Sequence, residues 1–291
     1  MNFSQNINFY NINNESFADV HIDNFTFTCR VGGISNDKET IFLLHGFPET
    51  SRMWKNLIKT LDNDGYQIIA PDQRGYSKGA RPFQKSEYEI DKLSKDIINI
   101  ADEFKINQFH LVGHDWGSAV GWHITSNYSD RIITWTALSV PHLDAFAYSM
   151  KNDSLQMKKS EYINFFNKPF IPEIYFSIFS YRNLIKIWRE SSKDEIESYM
   201  EIFKQRKAIK SALNWYRANF KNEQSPIGNI YVPTLIIYGI KDMAIGVKSV
   251  DESEKYLKGK YKIKKINSGH WLIQESFDEV SKSIIEHIST N

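Results

Sequence analysis

Phe109-His110-Leu111-Val112-Gly113-His114-Asp115-Trp116-Gly117 is the stretch on which the reading of this chain turns. A short apolar run ends at Gly113, and two glycines then bracket one acidic residue. Glycines two before and two after a residue permit a strained strand-to-helix turn that exposes that side chain at a sheet edge. Here that side chain is Asp115. A literal Gly-x-Ser-x-Gly also occurs, at Gly75-Tyr76-Ser77-Lys78-Gly79. It stands five residues past its apolar run, and Arg81-Pro82 follow where such a turn needs a helix. Ser77 matches in letters but not in context.

Outward from this stretch, similar apolar runs recur at Ile41–Leu44, Tyr66–Ala70, Ile132–Leu138 and Thr234–Tyr238, and the segment Tyr261–Ile266 follows them. Strands apolar on both faces and interleaved with helices predict an α/β fold, a mostly parallel central sheet covered on both sides. Ahead of them, Val20 and Ile22, an Asp23-Asn24 turn, then Phe25, Phe27, Cys29 and Val31 read as a hairpin. Helical spacing marks Tyr88–Phe104 (Ile90, Leu93, Ile97, Ile100, Ala101) and Phe277–Ile288 (Val280, Ile284, Ile285). Between Pro141 and about Pro226 only helical signals appear, with Ser192 and Glu195 forming a capping box. The expected organisation is a core in two parts, 1–140 and 227–291, interrupted by a helical cap, 141–226.

Composition narrows the class. The 291 residues are 41% hydrophobic, and 36 Lys+Arg against 35 Asp+Glu leave a net charge of +1. No basic excess points to nucleic acid, and no run approaches the roughly 18 apolar residues of a membrane span. The lone Cys29 excludes an internal disulfide or a multi-cysteine metal site. The Asn-rich opening has no signal-peptide pattern, so a cytoplasmic protein is expected. Monomer and homodimer both remain open.

In an open parallel sheet, ligands bind beyond the carboxyl ends of the strands. The segments that follow the runs are His45-Gly46-Phe47-Pro48, Asp72-Gln73-Arg74-Gly75, the Asp115 turn, Gly239-Ile240-Lys241-Asp242 and Gly269-His270. An aspartate, with an ordinary pKa of about 3.9, is ionised at neutral pH and needs no base for attack. On a saturated carbon bearing a leaving group it forms an alkyl ester. Water must then attack the Asp115 carboxyl carbon. That step needs a base, His270, held in the right tautomer by Asp242, and an oxyanion hole from the backbone N–H groups of Phe47 and Trp116. A halide and an epoxide oxygen both fit as leaving groups. An epoxide oxygen wants O–H donors, for which Tyr162 and Tyr216 in the helical insert are candidates.

These linked motifs resemble the α/β-hydrolase-fold epoxide hydrolases of the soluble type. His45-Gly46-Phe47-Pro48-Glu49, Asp72-Gln73-Arg74-Gly75-Tyr76-Ser77, Gly113-His114-Asp115-Trp116-Gly117, Asn214-Trp215-Tyr216-Arg217 and Gly269-His270-Trp271 carry the likeness. It implies an α/β-hydrolase fold and a small-molecule epoxide substrate, with no metal or organic cofactor. Asp115 is then similar to the nucleophile, His270 to the base, Asp242 to its acid partner, and Tyr216 and Tyr162 to the two cap tyrosines.

Other readings stand beside these. Asp144 rivals Asp242 as the partner of His270. His45 either touches substrate or braces its loop, and His114 is expected to point away from the cleft as buried support. Asp72 and Arg74 are expected to pair with each other. The insert's cations (Lys158, Lys159, Lys204, Arg206, Lys207, Lys210) read as a solvated face. A haloalkane or haloacid dehalogenase is the alternative function, disfavoured because Phe47 has no side-chain N–H for a halide. A ligand sensor on a spent hydrolase scaffold and an esterase are further rivals.

Overall fold

Apolar runs flanked by turns become strands because burying both faces removes the whole run from water. The computed structural model describes residues 4–220 and 225–291, and among them a nine-stranded sheet forms. Its strands are β1 (Ile7–Ile12), β2 (Glu15–Ile22), β3 (Phe25–Gly32), β4 (Thr40–Leu44), β5 (Gln67–Pro71), β6 (Phe109–His114), β7 (Ile132–Leu138), β8 (Thr234–Gly239) and β9 (Tyr261–Ile266). The order is β1-β2-β3-β5-β4-β6-β7-β8-β9. β1 to β3 form an antiparallel meander that pairs antiparallel with β5, and the remaining strands run parallel.

The expected hairpin is β2–β3, turning at Asp23 with φ 51°. β1 was not anticipated. Its Ile7 and Phe9 alternate with asparagines along an exposed edge, and Asn13 and Asn14 make the turn at positive φ, where Asn is tolerated better than most residues. The central β4 and β6 are buried at every position, as strands covered on both faces must be. Cys29 lies buried in β3.

Helices α1 (Lys55–Asn63), α2 (Ile90–Glu103) and α3 (Trp116–Asn127) follow β4, β5 and β6 in the chain. Among the described residues, the helices between β7 and β8 are α4 (Leu143–Asn152), α5 (Ser154–Lys159), α6 (Glu161–Phe166), α7 (Ile171–Ile185), α8 (Lys193–Phe203) and α9 (Ala208–Asn219). The Ser192–Glu195 capping box opens α8, both reciprocal bonds present. α7 leaves helical angles at Ile178–Tyr181. Two indole N–H groups fasten this segment to the sheet-side loops, Trp215 Nε1 to the Arg74 carbonyl at 2.8 Å and Trp188 Nε1 to the Pro48 carbonyl at 2.9 Å. The chain closes with α10 (Val247–Asp251), α11 (Leu272–Glu275) and α12 (Phe277–Ser289). Among the described residues, no helix is long and apolar enough to cross a membrane.

Candidate active site

β6 ends at His114 and α3 begins at Trp116, so Asp115 alone makes the turn, at φ 52° and ψ −118°. Such angles cost a non-glycine residue on the order of 1–3 kcal/mol and persist only where the surroundings enforce them. The flanking glycines allow it: a Cβ on Gly117 would lie 2.0 Å from the Leu44 carbonyl oxygen, and one on Gly113 2.4 Å from the Gly117 oxygen. Helix and strand therefore approach more closely than any side chain permits.

The loop after β4 meets this turn. Phe47 N–H donates to Asp115 Oδ1 at 2.7 Å. Among the described residues the Trp116 N–H makes no hydrogen bond to that carboxylate, so one of the two expected backbone donors is engaged. The other oxygen, Oδ2, lies 3.6 Å from His270 Nε2, an ion-pair separation too long for a hydrogen bond. His270 Nδ1 sits 2.8 Å from Asp242 Oδ2, and Asp242 Oδ1 accepts from Ala244 N–H at 2.7 Å and Ile245 N–H at 2.9 Å. Lys159 donates to the Asp242 carbonyl, so it is not wholly part of the solvated face. Asp144 faces elsewhere, accepting from the Ile227 and Gly228 N–H groups at 3.0 and 2.9 Å.

Burial lowers the basicity of the His270 ring, but the Asp242 carboxylate, and Asp115 after it, outweigh burial and raise its pKa well above the ordinary value. Burial raises that of Asp242, while the His270 charge and hydrogen bond and the two backbone donors bring it below the usual range.

The helical segment supplies the opposite wall. Tyr216 in α9 is buried and Tyr162 in α6 partly buried, with ring centroids 6.1 Å apart. The Tyr216 ring meets Phe47 at 5.5 Å and Trp116 at 5.1 Å, both edge-on. Burial, and then the nearby Asp115 charge, raise both phenols well above their ordinary pKa, so both keep their protons. The neighbours of Tyr216 face other partners. Trp215 bonds the Arg74 carbonyl, while Arg217 pairs with Glu173 at 2.7 Å and donates to the Phe166 and Lys168 carbonyls.

Sequence reading missed the carboxylate behind the turn. His114 is buried, with Nε2 donating to the His270 carbonyl at 2.9 Å and Nδ1 facing Glu49 Oε2 at 3.1 Å. Glu49 also takes a bond from Gln274 at 2.7 Å. The only available signal was an acid directly after His45-Gly46-Phe47-Pro48. His45 braces loops: its Nε2 accepts from the Gln73 N–H at 3.1 Å, and Gln73 Nε2 donates back to the His45 carbonyl at 2.6 Å. The expected Asp72–Arg74 pair is absent among the described residues. Arg74 pairs with Asp96 of α2 through two bonds of 2.7 and 2.6 Å, and Asp72 accepts from the Ser51 N–H. The two side chains meet different partners, and α2 offers Arg74 a bidentate carboxylate.

Two surface clefts, of about 260 and 330 Å³, lie elsewhere and contain none of these residues. Among the described residues, no three His, Cys, Asp or Glu side chains gather to hold a metal ion.

A charged turn at a strand–helix junction, with an acid and a histidine from later strand ends, is the layout of a hydrolase on an open sheet. Residues 39–277 match the α/β-hydrolase-fold family model, and the chain belongs to that family. The AB hydrolase superfamily protein YfhM of Bacillus subtilis is 34% identical over 259 residues, covering 87% of this chain and 91% of that protein. Epoxide hydrolase 4 of Homo sapiens is 29% identical over 259 residues, covering 85% and 71%. The crystal structure of a Bacillus megaterium epoxide hydrolase in complex with an inhibitor superposes with a TM-score of 0.83, at 23% identity, over 97% of this chain and all of that one. At that identity the likeness speaks for the fold.

Proposed function

We propose that the protein is an epoxide hydrolase that adds water to an oxirane and releases a vicinal diol through an ester on Asp115. One observation carries the reading: a carboxylate stands where other hydrolases place a hydroxyl, and protonated phenols stand opposite it. Relatives named epoxide hydrolases support it. In this reading residues 1–140 and 227–291 form the core and 141–226 the cap.

Asp115 Oδ2 attacks an epoxide carbon, the C–O bond of the ring breaks, and Tyr216 or Tyr162 gives the alkoxide its proton. Proton donation at a developing charge accelerates such a step by roughly 10²–10⁴-fold. In the second step His270 Nε2 takes a proton from water, which attacks the Asp115 carboxyl carbon. The Phe47 N–H, joined by the Trp116 N–H as the geometry changes, holds the oxygen that becomes negative. Collapse breaks the ester C–O bond, and the departing oxygen takes the proton of the new carboxyl group by way of His270, which restores the carboxylate and frees the diol. The first step also prepares the second. Alkylation removes the Asp115 charge, one of the two that hold the His270 ring protonated, so the ring passes its proton to the phenolate left by the first step and is a base when one is needed.

The test is an epoxide panel followed for diol, with haloalkane and haloacid controls. Halide release without any diol would favour the dehalogenase reading. A single turnover in heavy-oxygen water should yield a first diol carrying ordinary oxygen from Asp115. Heavy oxygen in that product would overturn the ester mechanism. We also place the protein in the cytoplasm, a reading supported by its lone, buried thiol. Monomer and homodimer are equally compatible with this chemistry.

A further inference from the structure

The stretch Phe170–Phe179 is apolar on both sides. Pro172 and Phe176 point inward, while Phe170, Ile171, Ile174, Tyr175, Ile178 and Phe179 are exposed, Phe170 at 72% and Phe179 at 78%. Ile171, Ile174 and Tyr175 follow helical spacing, so the outer face is itself an apolar stripe where a solvated helix would be polar, and Ile178 and Phe179 are exposed where the helical angles break off. Contiguous exposure of this kind marks a docking surface.

Charge selects the occupant. The only acid within the stretch, Glu173, is neutralised by Arg217. Exposed cations flank it, Lys168 before and Arg182 and Lys186 after, and none forms an ion pair among the described residues. The whole-chain balance of +1 hides this local excess. A two-fold contact with a second copy would set these cations against themselves. An anionic lipid surface matches both the apolar stripe and the exposed cations on either side of it in the chain, as for interfacial helices generally.

The patch is also continuous with the aromatic wall of the site. Tyr175 stacks edge-on against Phe165 and Phe176 at 5.3 Å, and Phe176 lies 6.0 Å from Phe47, the donor loop of Asp115. We propose that the outer face of α7 seats the protein on an anionic lipid bilayer, without crossing it. The docking itself does not depend on the reaction assigned above.

Sedimentation with vesicles tests it, comparing pure phosphatidylcholine with mixtures rich in phosphatidylglycerol. The wild type should bind the anionic vesicles at least roughly ten-fold more strongly, given three cations at the surface. Salt of about 0.5 M should reverse most of that difference by screening. Phe170→Glu/Ile174→Glu/Phe179→Glu should abolish binding while leaving the circular dichroism spectrum and styrene oxide turnover unchanged. Should that variant fail to fold, Lys168→Glu/Arg182→Glu/Lys186→Glu, confined to exposed side chains, should lose the preference for anionic vesicles. No vesicle binding by the wild type, equal binding to both lipids, or undiminished binding by the folded variants overturns the proposal. So does a concentration-dependent dimer that the apolar variant dissolves, which would assign the patch to a second copy.

Discussion

Gly75–Gly79 and Gly113–Gly117 share a letter pattern and almost nothing else. In the second, the central residue makes a positive-φ turn between a strand and a 12-residue helix, and its carboxylate faces a histidine from another strand end. In the first, Ser77 is equally buried, yet its hydroxyl donates to the Asp72 carbonyl and accepts from the Thr28 N–H at 2.9 Å. One side chain is presented to the cleft, and the other stitches two backbone segments together. What separates them is the chain that follows: a helix re-aims the backbone, whereas Arg81-Pro82 continues an extended loop. A glycine pattern is informative only with its flanking elements.

The contrast is open to experiment. Asp115→Ala should reduce epoxide turnover by at least roughly 10⁴-fold, as loss of a nucleophile does, while Ser77→Ala changes it by a few-fold at most. Comparable losses at both positions would break the contrast. His270→Gln should let the ester form and persist, so intact mass rises by one substrate and turnover falls by roughly 10³-fold. An unchanged mass would falsify the base assignment. Tyr216→Phe and Tyr162→Phe should each slow the alkylation step by about 10–100-fold in stopped-flow traces, with melting temperatures near wild type. For Ser77→Ala the main expectation is structural, about 1–2 kcal/mol of stability lost in urea titrations through its two backbone bonds.

The smallest effect is on stability against pH. The His270 pKa is raised in the folded state, so its stabilising contribution is complete below the ordinary value of 6.5 and is lost as pH rises through the raised value. Melting temperature should fall on that alkaline limb. Asp115→Ala removes one of the charges that raise it and should shrink the fall, whereas Ser77→Ala should leave it unaltered.

Patterns that local chemistry imposes were readable from the chain alone. Runs buried on both faces gave the parallel strands, the glycine pair gave the turn at Asp115, and strand-end positions put His270 and Asp242 near it. β1 was hidden because an edge strand faces water and its asparagines mimic a loop. Partners across space were harder. Arg74 has an acid two residues away but binds Asp96, 22 residues on, through both carboxylate oxygens, and also Glu87, partners that the folded chain brings to it. Glu49 and His114 meet over 65 residues, which no periodicity encodes. Tyr162 and Tyr216 each lay on a recognisable helix face, but the 6.1 Å between their rings comes from packing of α6 against α9. The insert's helices were legible too, but not that α7 turns an apolar side outward.

Trp215, Tyr216 and Arg217 are consecutive, and successive residues of a helix point about 100° apart. One grips the sheet-side loop at Arg74, the next overlooks Asp115, and the third ties the end of α6 to α7. α9 thus works like a three-toothed key: turned by a single residue, it would misalign all three teeth at once. Length changes upstream, between α8 and α9, are therefore tolerable only when they leave its rotation untouched, whereas one residue added inside it before Trp215 would disengage the phenol, the clasp and the strut together.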